Sequence, residues 1–135
     1  MKPLFVDTAA WMACADAADP DHARCCAARD SAILSGHLLF TSDYVVDETL
    51  TLIRMRLGVK AAEAWWRQCE GSARVRIEAI DALRAEKARR IFFRCRDKDY
   101  SFTDCTSFVV MQELRIHTAL TVDRHFRQMR FDTIP

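Results

Sequence analysis

The chain has 135 residues, half of them hydrophobic, with only three glycines and three prolines. This length and composition predict one globular domain over residues 1–135 and exclude disordered, low-complexity and collagen-like chains. Lysine and arginine number 20 against 19 acidic residues, and the net charge of +1 argues neither for nor against a nucleic-acid partner.

The cysteine pattern and the hydropathy bear on the cellular compartment. There is no C-x-x-C pair or other zinc-binding spacing, and most cysteines lie beside alanine and other apolar residues, which indicates buried free thiols. The six are Cys14, Cys25, Cys26, Cys69, Cys95 and Cys105. With neither a signal-peptide pattern nor an apolar run long enough to cross a bilayer, we expect a reducing cytoplasm and no membrane association.

The first third of the chain predicts strand, helix, strand and helix. The apolar residues 4–6 indicate a buried strand that ends at Asp7 and opens into a functional loop. A helix is predicted over residues 22–35, and a second strand over residues 38–40. Apolar residues then recur with helical spacing up to Gly58, which places Glu48 near the beginning of a helix.

The middle of the chain continues the alternation. Residues 60–70 predict a helix whose tryptophans serve packing, and residues 75–77 predict a brief strand. Asp81 is a candidate cap for a helix over residues 82–95 with a basic face. Its predicted apolar face consists of Leu83, Ala88, Ile91 and Phe92.

The last third carries two more acidic residues at element ends. Ser101 or Thr103 is the expected cap of a helix that Asp104 opens. Residues 118–122 indicate a buried strand ending at Asp123, followed by one helical turn and a short strand at residues 131–133. The alternation throughout predicts an α/β fold with a mainly parallel central sheet, and such sheets place their sites beyond the carboxyl ends of the strands.

Four acidic residues can therefore meet at one edge of the sheet: Asp7, Glu48, Asp104 and Asp123. Two carboxylates about 5 Å apart repel by about 3 kcal/mol at an effective dielectric near 20, so the cluster requires a counter-charge. Oxygen ligands of this kind suit Mg²⁺ or Mn²⁺ and phosphodiester hydrolysis. Each acid taken singly also has a purely structural interpretation, as a strand-end or helix cap or a solvated helix residue.

Four segments in this order resemble the PIN-domain nucleases, particularly the VapC-type toxins of toxin-antitoxin pairs. They are Val6-Asp7-Thr8, residues 41–49 (TSDYVVDET), residues 101–105 (SFTDC) and residues 120–126 (LTVDRHF). The resemblance spans nearly the whole chain, and its specificity comes from four separated acids. It implies a PIN-like three-layer α/β/α fold and a metal-dependent endoribonuclease.

The resemblance also implies roles for individual residues. Asp7 and Asp104 would be the principal metal ligands, Asp123 would complete the metal site directly or through water, and Glu48 would orient water at the metal. The hydroxyl residues that the family has beside these acids match Thr8 and Thr103. Ala9 departs from the family, in which a small polar residue is frequent at that position, so no wider hydrogen-bond network is expected there.

The resemblance further implies an RNA substrate, a cognate antitoxin protein that fills or obstructs the acidic groove, and a homodimer. Three alternatives remain compatible with the sequence: a PIN nuclease of RNA processing without an antitoxin, a receiver-like signalling domain that binds magnesium, and a non-catalytic interaction module. A receiver fits poorly because Glu78, and not a phosphorylatable aspartate, follows the third predicted strand.

The remaining titratable residues near these motifs are assigned no role in catalysis. Surface or packing roles are predicted for His22, His37, His117 and His125, since none has a ligand-like spacing with another histidine. Phe126 is expected to close the turn over the site, which leaves Arg124 and Arg127 available to phosphate. Asp43 is interpreted as a helix cap, and Asp47, Asp97 and Asp99 are placed outside the metal site.

Overall fold

The computed structural model describes residues 2–135, and a five-stranded sheet forms its centre. The strands are Lys2–Val6 (β1), His37–Ser42 (β2), Val75–Glu78 (β3), Thr118–Leu120 (β4) and Asp132–Ile134 (β5). Their order is β3-β2-β1-β4-β5, and every pairing is parallel. The chain winds outward from β1 in one direction and then continues from β4 in the other, so the topological switch point lies between β1 and β4.

Seven helices flank this sheet, which confirms the predicted α/β class. They are Thr8–Ala15 (α1), His22–Leu34 (α2), Asp43–Leu57 (α3), Val59–Gly71 (α4), Ala82–Arg94 (α5), Phe102–Leu114 (α6) and His125–Gln128 (α7). Within the described residues, no helix is both long and apolar enough to span a membrane.

The core consists of the strand interiors and the inner helix faces. In β1, Leu4, Phe5 and Val6 are almost completely buried, as expected for a central strand covered on both faces. Trp11 and Trp65 pack edge to face with ring centroids 5.6 Å apart, which joins α1 to α4. The six cysteines are free thiols, three of them buried and three half-buried.

The structure corrects the prediction at the two strand ends nearest the acidic residues. A functional loop was expected after Asp7, but α1 begins directly at Thr8, because the Asp7 carboxylate caps that helix by accepting the Ala10 N–H at 3.1 Å. The α1 sequence is apolar on nearly all sides and so lacks the periodicity that identifies a surface helix. Strand β4 ends at Leu120, two residues earlier than predicted.

Two further predictions concerning helices were wrong. Asp43 does not cap α3, because Ser42 accepts the Val45 N–H while the Asp43 carboxylate accepts the Ile80 N–H from the loop after β3. In α5, Ala88 and Ile91 are buried, but Leu83 and Phe92 are exposed. Helix α5 packs chiefly against α6. Because a single neighbouring helix buries a narrower strip of the α5 surface than a sheet would, Leu83 and Phe92 stay exposed.

Candidate active site

The four predicted acids line one pocket at the carboxyl edge of the sheet. Asp7 follows β1 and Asp123 lies three residues beyond β4, on the two sides of the topological switch point. Asp104 enters from the first turn of α6, and Glu48 enters from α3. Parallel strands that end at one edge bring together residues far apart in sequence, and this explains how the four acids meet.

Asp7 is the most buried acid of the pocket, with only 5 % of its surface exposed. Its two carboxylate oxygens accept hydrogen bonds from the Ala10 N–H at 3.1 Å and the Thr121 hydroxyl at 2.7 Å. Burial raises the pKa of Asp7 to about 7; the two hydrogen bonds lower it, and the charges of Asp123 and Asp104 raise it further. At neutral pH the carboxyl is therefore only partly ionised, and a nearby positive charge would favour the ionised form.

Asp104 serves both the helix and the pocket. It forms a capping box with Ser101, whose hydroxyl accepts the Asp104 N–H at 2.9 Å while an Asp104 carboxylate oxygen accepts the Ser101 N–H at 3.1 Å. Of the two predicted caps, Ser101 is therefore the one used. Burial raises the pKa of Asp104, and the neighbouring Asp123 raises it further.

Thr121 positions two acids on the side of the pocket beside β4. From the sequence it is predicted only as part of a strand. Its hydroxyl donates to Asp7 and accepts the Asp123 N–H at 2.9 Å. The available signal was a hydroxyl residue two positions before an acid at a strand end, a spacing typical of turns closed by side chains.

His125 also lies in the pocket, contrary to the predicted surface or packing role. Its Nδ1 atom is 2.8 Å from Asp123 and 3.2 Å from Asp104, and its Nε2 atom is 2.8 Å from Asp99. Asp99 itself lines the pocket, where it contacts His125, and its predicted place outside the metal site is not contradicted. The turn of α7 is fixed by the fully buried Phe126, which packs on Phe108 with ring centroids 5.1 Å apart.

Two further residues complete the pocket wall. The Thr8 hydroxyl is buried and has no hydrogen-bond partner within the described part of the chain, although Thr8 lines the same pocket as the four acids. Arg56, on α3, is the one lysine or arginine among the residues that line this pocket. The arginines within residues 84–96 and 124–130 do not line this pocket.

The residues present fit a divalent cation. Buried carboxylates with raised pKa values lie beside an unpartnered hydroxyl, and hard oxygen donors of this kind are the ligands that Mg²⁺ and Mn²⁺ take. Fold and pocket together define a class of small parallel α/β proteins with an acidic, cation-type site at the topological switch point.

Comparisons with known proteins identify the family within this class. Residues 4–132 match the PIN domain family. The chain is 36 % identical to Ribonuclease VapC26 of Mycobacterium tuberculosis over 94 % of its length and 92 % of that protein. It is 34 % identical to the 23S rRNA-specific endonuclease VapC20 of the same species, over 95 % of each chain. The chain therefore belongs to the PIN-domain family, among the VapC-type endoribonuclease toxins.

Solved structures agree with this assignment. The crystal structure of M. tuberculosis VapC20, described as a sarcin-ricin loop cleaving toxin, superposes with a TM-score of 0.85 at 33 % identity, covering 95 % of both chains. FitAcB from Neisseria gonorrhoeae gives a TM-score of 0.68 at 19 % identity, covering 98 % of this chain and 96 % of that one, and shows the shared fold. Membership of the PIN-domain family therefore replaces the alternative of a receiver-like signalling domain.

Proposed function

We propose that this protein cleaves RNA with Mg²⁺ or Mn²⁺ held by Asp7, Asp104 and Asp123, and with Glu48 orienting the attacking water. The observation that carries the proposal is the convergence of these four acids in one pocket, two of them with raised pKa values. A bound cation would neutralise the carboxylates, stabilise the charge that develops on the phosphate and favour deprotonation of water.

Other contacts in the pocket hold the proposed metal ligands in position. Thr121 holds Asp7 and the backbone of Asp123 in fixed relation, so two of the proposed ligands keep their spacing without a substrate. The capping box does the same for Asp104. Pre-set ligands of this kind lower the reorganisation needed when charge develops during the reaction. Glu48 lies on a separate helix, which leaves its carboxylate to orient water from another wall of the pocket.

Substrate RNA would contact the pocket through basic side chains at its rim. The guanidinium of Arg56 lines the pocket and is about half exposed, with only a loose contact of 3.9 Å to Asp19. Arg124 and Arg127 line a neighbouring notch that also includes Asp123. Such contacts position the phosphate backbone and do not read its sequence.

The identity to VapC20 leads us to propose ribosomal RNA, and a sarcin-ricin stem-loop in particular, as the first substrate to test. Purified protein would be incubated with this stem-loop and with unstructured RNA, in Mg²⁺, in Mn²⁺ and in EDTA. We expect cleavage that is lost in EDTA and in folded Asp7→Asn and Asp104→Asn variants. Equal activity in the variants would contradict the assigned site, and cleavage of unstructured RNA alone would contradict the proposed substrate.

We also propose a cognate antitoxin that obstructs the acidic pocket, and a homodimer. The alternative is a PIN nuclease of RNA processing without an antitoxin, and a small antitoxin gene beside this one would decide between them. For the dimer, support comes from apolar side chains on α5 that the described residues leave in solvent, with Leu83 59 % and Phe93 63 % exposed. Light scattering during size-exclusion chromatography would measure the mass, and a monomer at micromolar concentration would contradict the dimer.

A further inference from the structure

The segment between β4 and α7 brings an imidazole nitrogen into the acidic pocket. His125 Nδ1 lies 2.8 Å from Oδ1 of Asp123 and 3.2 Å from Oδ2 of Asp104. One donor atom from each of these three residues lies within 4.8 Å of the other two. Among residues 2–135, this is the one group of at least three histidine, cysteine, aspartate or glutamate side chains close enough together to hold a metal ion.

The close contacts of Nδ1 do not have hydrogen-bond geometry. The atom is buried and has no hydrogen-bond partner in the described chain, although both carboxylate oxygens lie within ion-pair distance of it. A buried polar atom without a partner is unfavourable because it has lost its hydrogen bonds to water. Two ligands of one metal ion also lie close together without a hydrogen bond between them. If each is about 2.1 Å from the ion and the angle at the ion is about 90°, the two donor atoms are about 3 Å apart.

The other ring nitrogen is held as it is in metal-binding histidines. Nε2 lies 2.8 Å from Oδ1 of Asp99, and the imidazole packs edge to face on Tyr100 with ring centroids 5.5 Å apart. A carboxylate on the outer nitrogen fixes the tautomer and the ring orientation of a metal-ligating histidine. In the tautomer whose Nε2–H donates to Asp99, Nδ1 keeps its lone pair on the side of the ring nearest Asp104 and Asp123.

A second, independent atom in the same pocket also lacks a partner. The Thr8 hydroxyl is buried and unpartnered among the described residues, and Thr8 is only 7 % exposed. Thr8 lines the pocket together with Asp104, Asp123 and His125. Two buried polar atoms without partners in one acidic cavity indicate a ligand that would satisfy both, directly or through water.

We propose that His125 is a direct ligand, through Nδ1, of the divalent cation held by Asp104 and Asp123, and that Asp99 is its positioning residue. This inference rests on the proposed metal site. Mg²⁺ holds to oxygen ligands and dehydrates reluctantly. A site with a nitrogen donor binds divalent transition metals, with an affinity that rises from Mn²⁺ to the later ions. The mixed nitrogen and oxygen ligand set therefore makes this a site that selects Mn²⁺ over Mg²⁺.

The test is pulsed electron paramagnetic resonance of the wild-type protein loaded with substoichiometric Mn²⁺. We expect electron spin echo modulation from one directly coordinated nitrogen, which changes to the ¹⁵N pattern when the protein is labelled with ¹⁵N-histidine. Because this readout uses the unaltered protein, it does not depend on the folding of a variant. Saturable Mn²⁺ binding without nitrogen modulation would overturn the histidine ligand and leave the acidic site standing.

Calorimetric titration of variants gives a separate readout. His125→Asn should weaken Mn²⁺ binding about tenfold or more and Mg²⁺ binding much less, and Asp99→Asn should weaken Mn²⁺ binding by about tenfold with the nitrogen signal retained. His117→Asn, at an exposed position, is the matched control and should change neither. Equal losses for both metals in His125→Asn would overturn the selectivity, and the absence of saturable binding in the wild type would overturn the proposed function as well.

Discussion

The hydroxyl of Thr121 donates a 2.7 Å hydrogen bond to the carboxylate of Asp7, although the two residues are 114 positions apart. The same hydroxyl accepts the Asp123 N–H. One oxygen atom thus ties the acid that follows β1 to the acid that follows β4. The geometry of the pocket depends on this link because Asp7 and Asp123, two of the proposed ligands, lie near opposite ends of the chain.

Replacing Thr121 by valine should damage both stability and metal binding. The change keeps the shape of the side chain but removes the donor to Asp7 and the acceptor of the Asp123 N–H. The loss of partners for buried polar groups should lower the free energy of unfolding by about 1–3 kcal/mol in urea titrations. The pKa of Asp7 should rise further, because the Thr121 hydrogen bond lowers it in the wild type.

Thr121→Ser is the control for this change, since it retains the hydroxyl. It should keep wild-type Mn²⁺ affinity, measured by calorimetry in parallel with the valine variant. Equal metal affinity in the valine and serine variants would show that the hydroxyl does not organise the pocket.

Asp7→Asn should stabilise the metal-free protein at neutral and alkaline pH. The folded-state pKa of Asp7 is about 7, above the ordinary value of 3.8, so the native state binds the extra proton between these values. Wild-type stability in EDTA should therefore fall as the pH rises from about 4 to 7 and level off above that. The asparagine variant lacks this ionisation. In EDTA at pH 8, its free energy of unfolding should therefore exceed that of the wild type by at most about 4 kcal/mol.

Thermal unfolding in EDTA from pH 4 to pH 8 measures this difference. Excess Mg²⁺ or Mn²⁺ should reverse its sign at pH 8, because a bound cation stabilises the ionised carboxylate and therefore the wild-type protein. Parallel pH curves for the two proteins in EDTA would contradict the raised pKa, since they would show that Asp7 ionises at the same pH in the folded and unfolded states.

The α/β class and the meeting of the four acids at one sheet edge were predictable, because buried strands and the acids that follow them leave a clear pattern. The roles of Thr121 and His125 were not, since each depends on side-chain partners from other elements. His125 is 26 residues from Asp99, its partner at Nε2. Helix α1 was missed because an almost uniformly apolar segment has no periodicity that distinguishes helix from strand.

Arg56 should contribute to RNA binding, whereas its neighbour Arg54 should not. Arg56 lines the acidic pocket, and Arg54 lines the groove between α3 and α4 on another side of the helix. Binding to stem-loop RNA would be measured by fluorescence anisotropy in an Asp7→Asn background, which prevents cleavage. Arg56→Gln should weaken binding and reduce the slope of log affinity against log salt by about 1. An equal loss of RNA affinity in Arg54→Gln would show that the effect of Arg56 comes from net positive charge and not from its position in the pocket.

Ser101→Ala should separate the two tasks of the capping box at the start of α6. Loss of a serine cap costs about 1 kcal/mol of stability, and the Asp81→Ala change at the cap of α5 should cost a similar amount. Only the Ser101 hydroxyl bonds a proposed metal ligand, because it accepts the N–H of Asp104, whereas Asp81 caps the N–H of Arg84, outside the lining of the pocket. We therefore expect Mn²⁺ affinity to fall about tenfold in Ser101→Ala and to stay at the wild-type value in Asp81→Ala. Equal affinities in two variants of equal stability would mean that Asp104 keeps its position without the box, which would assign the capping box to the helix alone.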